Sequence, residues 1–297
     1  MPEAITHFKI LESLGSGGLG DVYRARDMNL GRTVALKVLP PRIATDWDVL
    51  DALHATAVRL MQLSHPNIAM LFEIGEDEHR KFMVFEFVQG QPLGSLINGR
   101  PLQLRRALEF GINLADALAD AHGAGMIHGD IRPDTIMITP KDRAKFMNFG
   151  LARYTAGGAA RLTSGGPYVS PEELAGHPAD ARSDIYSLGA VMVEMITGRQ
   201  RARGLVLTGL AGTAPPELEQ MIARMLAANV EHRAQSAASI AAELRSMAAI
   251  LDHRTEQAEA ADASEPAHRI GRRRWSGVIA VIILVVMLSA LAFWLTQ

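Results

Sequence analysis

A glycine-rich segment between two predicted strands most narrows the folds open to this chain. Residues 14–23 read Leu-Gly-Ser-Gly-Gly-Leu-Gly-Asp-Val-Tyr, and Lys37 follows three apolar residues on the next predicted strand. Glycines let a backbone approach phosphate groups closely. In a dinucleotide-binding fold these glycines would open a helix, but strands flank them here. A lysine among apolar neighbours needs an anion to meet, unless it is a solvated lysine at a sheet edge. By itself the glycine pattern is weak evidence, because glycines also form ordinary turns; its position between strands, with a lysine on the next strand, leaves a phosphate-approaching loop and a simple turn as the two interpretations.

The overall composition is that of a globular protein without strong charge. The chain has 297 residues, a formal net charge of -2, 48% hydrophobic residues and 21% charged residues, which are ordinary values. It contains no cysteine, so disulfides, thiolate catalysis and cysteine zinc sites are excluded. The chain lacks the excess of basic residues that would indicate a nucleic-acid partner. No signal-peptide pattern is visible at the N-terminus.

The C-terminal segment departs from this soluble pattern. Residues 277–295 carry no charge, and Ser289 is their only polar side chain. As a helix they would span roughly 28 Å, close to the ~30 Å hydrocarbon core of a bilayer. Arginines at 272–274 precede the run, which places that side in the cytoplasm and near anionic lipid. We expect a single transmembrane helix at 275–296 that anchors a cytoplasmic domain in the cell membrane. A buried core helix and a removable lipid-anchor signal are the alternatives.

The remaining chain changes texture near residues 86–90. Before this point, short apolar or alternating runs predict an antiparallel sheet, with one helix over 47–63. The predicted strands cover 8–14, 22–26, 33–38, 69–74 and 81–88. After it, a 3.6-residue periodicity predicts helices over 104–122, 182–197, 216–226 and 236–250. We predict an α+β fold with a β-rich lobe of about 8–88 and a helical lobe of about 90–250. An exposed, partly helical linker with the basic cluster covers 251–274.

Further motifs follow in a fixed order. They are His128-Gly129-Asp130, Asn148-Phe149-Gly150, Ser170-Pro171-Glu172, the segment from Asp184 to Gly189, and Arg233. Together with the glycine-rich segment and Lys37, they resemble bacterial eukaryote-like (Hanks-type) serine/threonine protein kinases. The resemblance covers residues 8–250 and implies a bilobal protein-kinase-like fold.

The resemblance also implies a role for individual residues. It assigns ATP contacts to Leu14, Gly15, Gly17, Gly20, Val22, Ala35, Lys37, Glu86, Val88 and Met137. Asp130 matches the catalytic aspartate that accepts the proton of the substrate hydroxyl. Structural roles fall to His128, Phe149, Glu172, Asp184 and Arg233. His128 and Phe149 belong, with Leu60 and Leu71, to an apolar column between the lobes.

The positions at which the family has charged or metal-binding side chains carry different residues here. The helix glutamate expected to pair with Lys37 is Thr56, and Asp51 lies more than a turn earlier. The two metal-ligand positions are Thr135 and Asn148. Since Mg²⁺ prefers anionic oxygen and phosphoryl transfer depends on charge neutralisation, these exchanges predict weak or absent magnesium binding and impaired catalysis. Asp134 beside Thr135 is a stray carboxylate or, more simply, a loop or helix-cap residue.

Two functions follow from this pattern. The first is a membrane-tethered pseudokinase that binds ATP and signals through an unknown protein partner. The alternative is an active but slow serine/threonine kinase, with Thr163 and Ser164 as candidate autophosphorylation sites. A homodimer is compatible with either function.

Overall fold

An antiparallel sheet of six strands forms the N-terminal part of the computed structural model, which describes residues 2–78, 80–155, 166–200 and 214–264. The strands are β1 (Ala4–Ile5), β2 (Phe8–Gly17), β3 (Gly20–Asp27), β4 (Arg32–Val38), β5 (Leu71–Asp77) and β6 (Arg80–Glu86). Their spatial order is β1-β2-β3-β4-β6-β5. One face of the sheet buries apolar side chains that alternate along the strands, among them Phe8, Val34, Leu36, Phe82 and Val84.

Two helices interrupt this sheet in sequence, α1 (Pro41–Ala44) and α2 (Trp47–Gln62). Asp46 caps α2, because its carboxylate accepts a hydrogen bond from the Val49 amide at 3.1 Å. The helix buries Leu53, Ala57 and Leu60 on one stripe, and it contacts β5. The predicted helix over 47–63 is therefore present.

The glycine-rich segment forms the hairpin between β2 and β3. The two strands pair as far as Gly17 and Gly20, so β2 extends beyond the predicted end at Leu14. Gly20 has φ 104°, and a Cβ there would lie 1.9 Å from the carbonyl oxygen of Val38. Glycine is required at that position because any side chain would collide with the β4 backbone.

The C-terminal lobe is built mainly from helices. They are α3 (Leu93–Ile97), α4 (Leu104–Gly123), α5 (Pro171–Leu174), α6 (Ala181–Thr197), α7 (Pro216–Met225) and α8 (Ala237–Ser264). The strands β7 (Gln91–Pro92), β8 (Ile136–Ile138) and β9 (Ala144–Phe146) form a small sheet beside them. Helix α6 is buried along almost its whole length and contacts α4 and α7. The predicted α+β, two-lobed architecture is confirmed.

The chain divides into two compact units, residues 1–248 and 249–297. In the second unit the described residues end at Ser264 and are helical, whereas the sequence predicts that this helix ends at Ile250. Residues 251–264 are rich in alanine and glutamate, which favour helix. Among the residues that the structure describes, no helix combines the length and apolar character needed to cross a membrane. The predicted span at 275–296 and the arginines at 272–274 lie outside the described residues.

Candidate functional site

A cavity of about 360 Å³ lies beneath the glycine-rich hairpin, between the two lobes. Its described lining brings together residues that are far apart in sequence. They are Gly17, Gly18, Leu19, Gly20, Val22, Lys37, Asp130, Arg132, Thr135, Asn148 and Thr155. Seven of the residues predicted from sequence therefore meet at one place. They come from the glycine-rich hairpin and its strand β3, from β4 with Lys37, and from the segments that carry Asp130 and Asn148. The segment around Asp130 matches the catalytic loop of the resembled family.

Lys37 projects from β4 into this cavity and is buried, with 7% of its surface exposed. Its ammonium donates a hydrogen bond to the side-chain oxygen of Asn148 and lies 4.6 Å from the ring centroid of Phe85. Burial lowers the pKa of Lys37 to about 8, because a desolvated ammonium is disfavoured and the amide partner is neutral. Lys37 is thus a partly desolvated cation that an anionic ligand would stabilise.

The two predicted metal-ligand positions carry neutral side chains that are hydrogen-bonded within the protein. Asn148 sits in the left-handed region at φ 59°, which asparagine tolerates, and its neutral oxygen is turned to Lys37. Thr135 is buried. Its hydroxyl lies 2.8 Å and 3.0 Å from the carbonyl oxygens of Asp130 and Arg132 and accepts from the Arg132 amide. Within the described ranges, no three histidine, cysteine or carboxylate side chains form a group that could hold a metal.

Helix α2 reaches the cleft through Thr56, the position where the resembled family has glutamate. The Thr56 hydroxyl oxygen lies 2.9 Å from both the phenol oxygen of Tyr154 and the carbonyl oxygen of Ala52. Asp51 is exposed. The hydrogen-bond partners of Lys37 and of Thr56 are therefore different residues, Asn148 and Tyr154.

The catalytic loop carries one carboxylate into the cavity, that of Asp130. Arg132 approaches it, with its Nε 3.4 Å from Asp130 Oδ1, while the same guanidinium donates to Asp134 at 3.0 Å. The Asp134 side chain is 68% exposed. Asp134 therefore acts in this structure as a partner of Arg132 at the rim, and Arg132 adds a second cation to the cavity.

The loop backbone is held from below by Asp184 on α6. Its carboxylate accepts hydrogen bonds from the amides of His128 and Gly129, at 2.7 Å and 2.9 Å, and lies 2.9 Å from Nε2 of His122. Asp184 is 1% exposed. A buried carboxylate with several donors is well compensated, so it fixes the position from which Asp130 projects.

His128 and Phe149, predicted members of an apolar column between the lobes, lie in a cluster of aromatic rings. His128 packs against Phe149 and Phe146, with ring centroids 5.0 Å and 4.9 Å away. Its Nδ1 accepts from the Asp130 amide. Leu60, Leu71, His128 and Phe149 are all buried. The geometry of His128 is that of a packed histidine bonded to the loop backbone.

Glu172 on α5 forms a bidentate ion pair with Arg233. The two guanidinium nitrogens lie 2.7 Å and 2.9 Å from the two carboxylate oxygens. Burial opposes ionisation of Glu172, but hydrogen bonds from Arg233 and Ser183 outweigh it and lower the pKa of Glu172 to about 2. In the resembled family the activation segment runs from the motif matched by Asn148-Phe149-Gly150 to the one matched by Ser170-Pro171-Glu172. The ion pair ties the end of this segment to the chain before α8.

The other residues predicted to contact ATP are spread over the strands of both lobes and the connection after β6. Ala35 on β4 and Val88 after β6 are buried, whereas Leu14 is 48% exposed. Glu86 ends β6, and Met137 lies on β8. Gly15 has φ 112°. None of these six residues is in the described lining of the 360 Å³ cavity, so their ATP contacts stay a prediction.

Four residues at the site were missed by sequence reasoning. Lys145 pairs with the carboxylate of Glu86, and Arg42 donates to the carbonyls of Gly18 and Tyr154. Tyr154 and Thr155 follow the Asn-Phe-Gly motif in a 3₁₀ turn over Ala152–Tyr154. Single residues in loops and short turns carry no periodic signal, and only their long-range contacts reveal them.

The fold and the cleft together define a protein-kinase-like domain, and the comparisons with known proteins agree. The protein kinase domain model matches residues 8–247. The kinase domain of Mycobacterium tuberculosis PknI has the same fold, with a TM-score of 0.67, 23% identity, and coverage of 82% of this chain and 97% of that one.

Curated relatives give the particular family. Serine/threonine-protein kinase PknA of Mycobacterium tuberculosis is 36% identical over 210 residues, which cover 66% of this chain and 48% of PknA. PknB of Mycolicibacterium smegmatis is 34% identical over 263 residues, covering 80% of this chain and 42% of PknB. The chain belongs to the protein kinase family, in its bacterial Hanks-type serine/threonine branch. It spans about half the length of the curated relatives that it matches.

Proposed function

We propose that this chain is a pseudokinase that binds ATP in the cleft and transfers phosphate poorly or not at all. The observation that carries the proposal is the charge inside the cavity. Among its described lining residues, Asp130 is the only carboxylate, while Lys37 and Arg132 are cations. Such a cavity suits an anionic phosphate chain but offers little to hold Mg²⁺.

The altered charge in the cleft acts mainly on the rate of phosphoryl transfer. In this family, Mg²⁺ would neutralise charge on the β- and γ-phosphates. Removal of one preorganised electrostatic group typically costs about 10²–10³ in rate. Thr56, Thr135 and Asn148 change three such positions together, although such losses are not additive. Binding depends on fewer of these groups than transfer does, so binding can persist when transfer is lost.

The proposal extends to how the domain acts. Since such a domain would not turn nucleotide over, we infer that it signals through contacts with another protein. The apolar segment 275–296 and the arginines before it support tethering to the cell membrane, with the kinase-like domain on the cytoplasmic side. The same arginine cluster would also contact anionic lipid.

Thermal unfolding tests the binding function. We expect ATP to raise the melting temperature of the full chain, since a ligand that binds only the folded state stabilises it. Lys37→Met should reduce this shift, and Lys9→Met, which removes an exposed lysine from β2, is the matched control. A melting temperature that does not change with ATP, at concentrations up to several millimolar, would contradict the proposal.

A second candidate function is a slow serine/threonine kinase, favoured by the retained Asp130. Its carboxylate would accept the hydroxyl proton while the hydroxyl oxygen bonds to the γ-phosphorus and ADP leaves. Intact-mass measurement after incubation with ATP and Mg²⁺ or Mn²⁺ distinguishes the two functions. Added phosphate that disappears in Asp130→Asn would establish the slow kinase. Thr163 and Ser164, which lie outside the described residues, would be examined first.

A further inference from the structure

We propose that Tyr154 latches the start of the activation segment across the phosphate cavity, so that the protein holds its own nucleotide site partly shut. This inference rests on the proposed ATP binding and adds its regulation. The latch consists of Gly18, Arg42, Thr56, Tyr154 and Thr155.

The first part of the latch joins Tyr154 to helix α2. Its phenol donates to the carbonyl of Ala52 at 2.7 Å and lies 2.9 Å from the hydroxyl of Thr56. Tyr154 is 5% exposed. A buried hydroxyl with satisfied partners is costly to release, because both sides lose hydrogen bonds. The 3₁₀ turn over Ala152–Tyr154 is thereby fixed against the helix.

The second part joins the same turn to the roof of the cavity. One nitrogen of Arg42 donates to the carbonyl of Tyr154 at 3.2 Å, and another donates to the carbonyl of Gly18 at 2.6 Å. A Cβ built at Gly18 would lie 2.6 Å from Cβ of Thr155. The glycine-rich hairpin therefore rests directly on Thr155, and Arg42 holds the two together.

The third part is the position of Thr155. It lines the cavity with Lys37, Asp130 and Asn148, and its hydroxyl donates to the carbonyl of Ala152. A phosphate chain that reaches Lys37 beneath the hairpin has to share this space with Thr155. Release of Tyr154 from α2 would let Thr155 move out and the hairpin lift.

The latch relates two departures from the family pattern, threonine at position 56 and asparagine at position 148. Thr56 is uncharged, and its hydroxyl can form a hydrogen bond with a phenol where a glutamate would pair with Lys37. Lys37 donates its hydrogen bond to Asn148. The tie between helix α2 and the cleft thus runs through Tyr154 in place of an ion pair with Lys37.

The energetic consequence is a lower apparent affinity for nucleotide. When only a fraction of molecules is open, the apparent dissociation constant rises by the inverse of that fraction. Loss of the Tyr154 hydroxyl removes contacts that hold the closed form, so we expect Tyr154→Phe to bind nucleotide about tenfold more tightly. A Tyr154 that served only packing would give no gain in affinity.

The test compares three variants of the full chain. Tyr154→Phe removes only the hydroxyl, Thr155→Gly removes the side chain under the hairpin, and Tyr23→Phe on β3 is the control away from the latch. A fluorescent ATP analogue gives the dissociation constant without added metal, and backbone hydrogen exchange reports the opening of α2.

We expect tighter binding in Tyr154→Phe and Thr155→Gly, with faster exchange in α2 only for Tyr154→Phe. Unchanged or weaker binding in both variants would overturn the latch. If neither the parent chain nor any variant binds nucleotide, the proposed function fails, and hydrogen exchange then decides the latch alone. Faster exchange of α2 and of the hairpin in Tyr154→Phe would support it, and an unchanged pattern would overturn it.

Discussion

Lys37 donates its hydrogen bond to Asn148, and this contact joins a buried cation to a neutral amide. In the family to which the chain belongs, a carboxylate at the position of Asn148 would hold the metal. Here the amide satisfies the lysine but brings no negative charge. We therefore expect the cavity to hold a phosphate anion better than a divalent cation.

ATP affinity should fall as the pH rises above 8. The pKa of Lys37 in the free protein is about 8, so above that pH the amine is mostly neutral. Binding of the phosphate chain then requires uptake of a proton by Lys37, which lowers the affinity. The dissociation constant should then increase by up to about tenfold per pH unit. Fluorescence titration with an ATP analogue between pH 7 and 9 measures this. Lys37→Arg keeps its charge, so a decline of equal steepness in that variant would contradict the assignment.

Asn148→Asp should give the cleft a stronger hold on Mg²⁺. The change introduces a carboxylate of nearly the same size beside the cavity, and hard anionic oxygen is the ligand that Mg²⁺ prefers. We expect ATP to bind this variant more tightly with Mg²⁺ than with a chelator, by about tenfold. Asn113→Asp, on α4 outside the cavity lining, is the control for added charge. Equal affinities with and without Mg²⁺ would show that Asn148 does not limit metal binding.

Glu172→Gln should destabilise the domain by about 3–5 kcal/mol, because it leaves the buried guanidinium of Arg233 without its anionic partner. Arg233→Met should cost a similar amount, and the double variant less than the sum of the two. Denaturant unfolding measures these free energies. Additive losses would argue against a coupled pair.

The same pair predicts a loss of stability in acid. The pKa of Glu172 is lowered in the folded state from 4.5 to about 2, so the unfolded chain takes up the proton first. The stabilising contribution is complete above about pH 4.5 and is lost as the pH falls toward 2. Glu172→Gln should flatten this part of the stability curve. An unchanged slope would mean that other carboxylates dominate acid unfolding.

Asp184→Asn should loosen the catalytic loop. The amide has one acceptor oxygen, so at least one backbone N–H of His128 or Gly129 loses its present partner. An unsatisfied buried donor costs about 1–3 kcal/mol. Hydrogen exchange at these two amides should accelerate, and Asp116→Asn on α4, whose carboxylate pairs with Arg245, should leave it unchanged. Protection equal to that of the parent chain would contradict the anchoring role.

The sequence predicts the two-lobed fold well, because strand alternation and helical periodicity record which face of each element is buried. It also predicts Lys37, Asp130 and Asn148 as neighbours, since ordered motifs identify them in spite of large separations. It could not predict that Thr56 bonds to Tyr154 or that Arg42 reaches Gly18. Those contacts arise from how a short turn packs between lobes, and no local pattern specifies that packing.

Isothermal titration calorimetry of the full chain with ATP, in Mg²⁺ and in a metal chelator, measures whether the cleft gains affinity from the metal. We expect dissociation constants that agree within about twofold, or weaker binding with Mg²⁺, because Lys37 and Arg132 would bind phosphate oxygen while Asn148 and Thr135 give the metal no anionic ligand. Binding at least tenfold tighter in Mg²⁺, abolished by Asn148→Ala, would contradict this expectation.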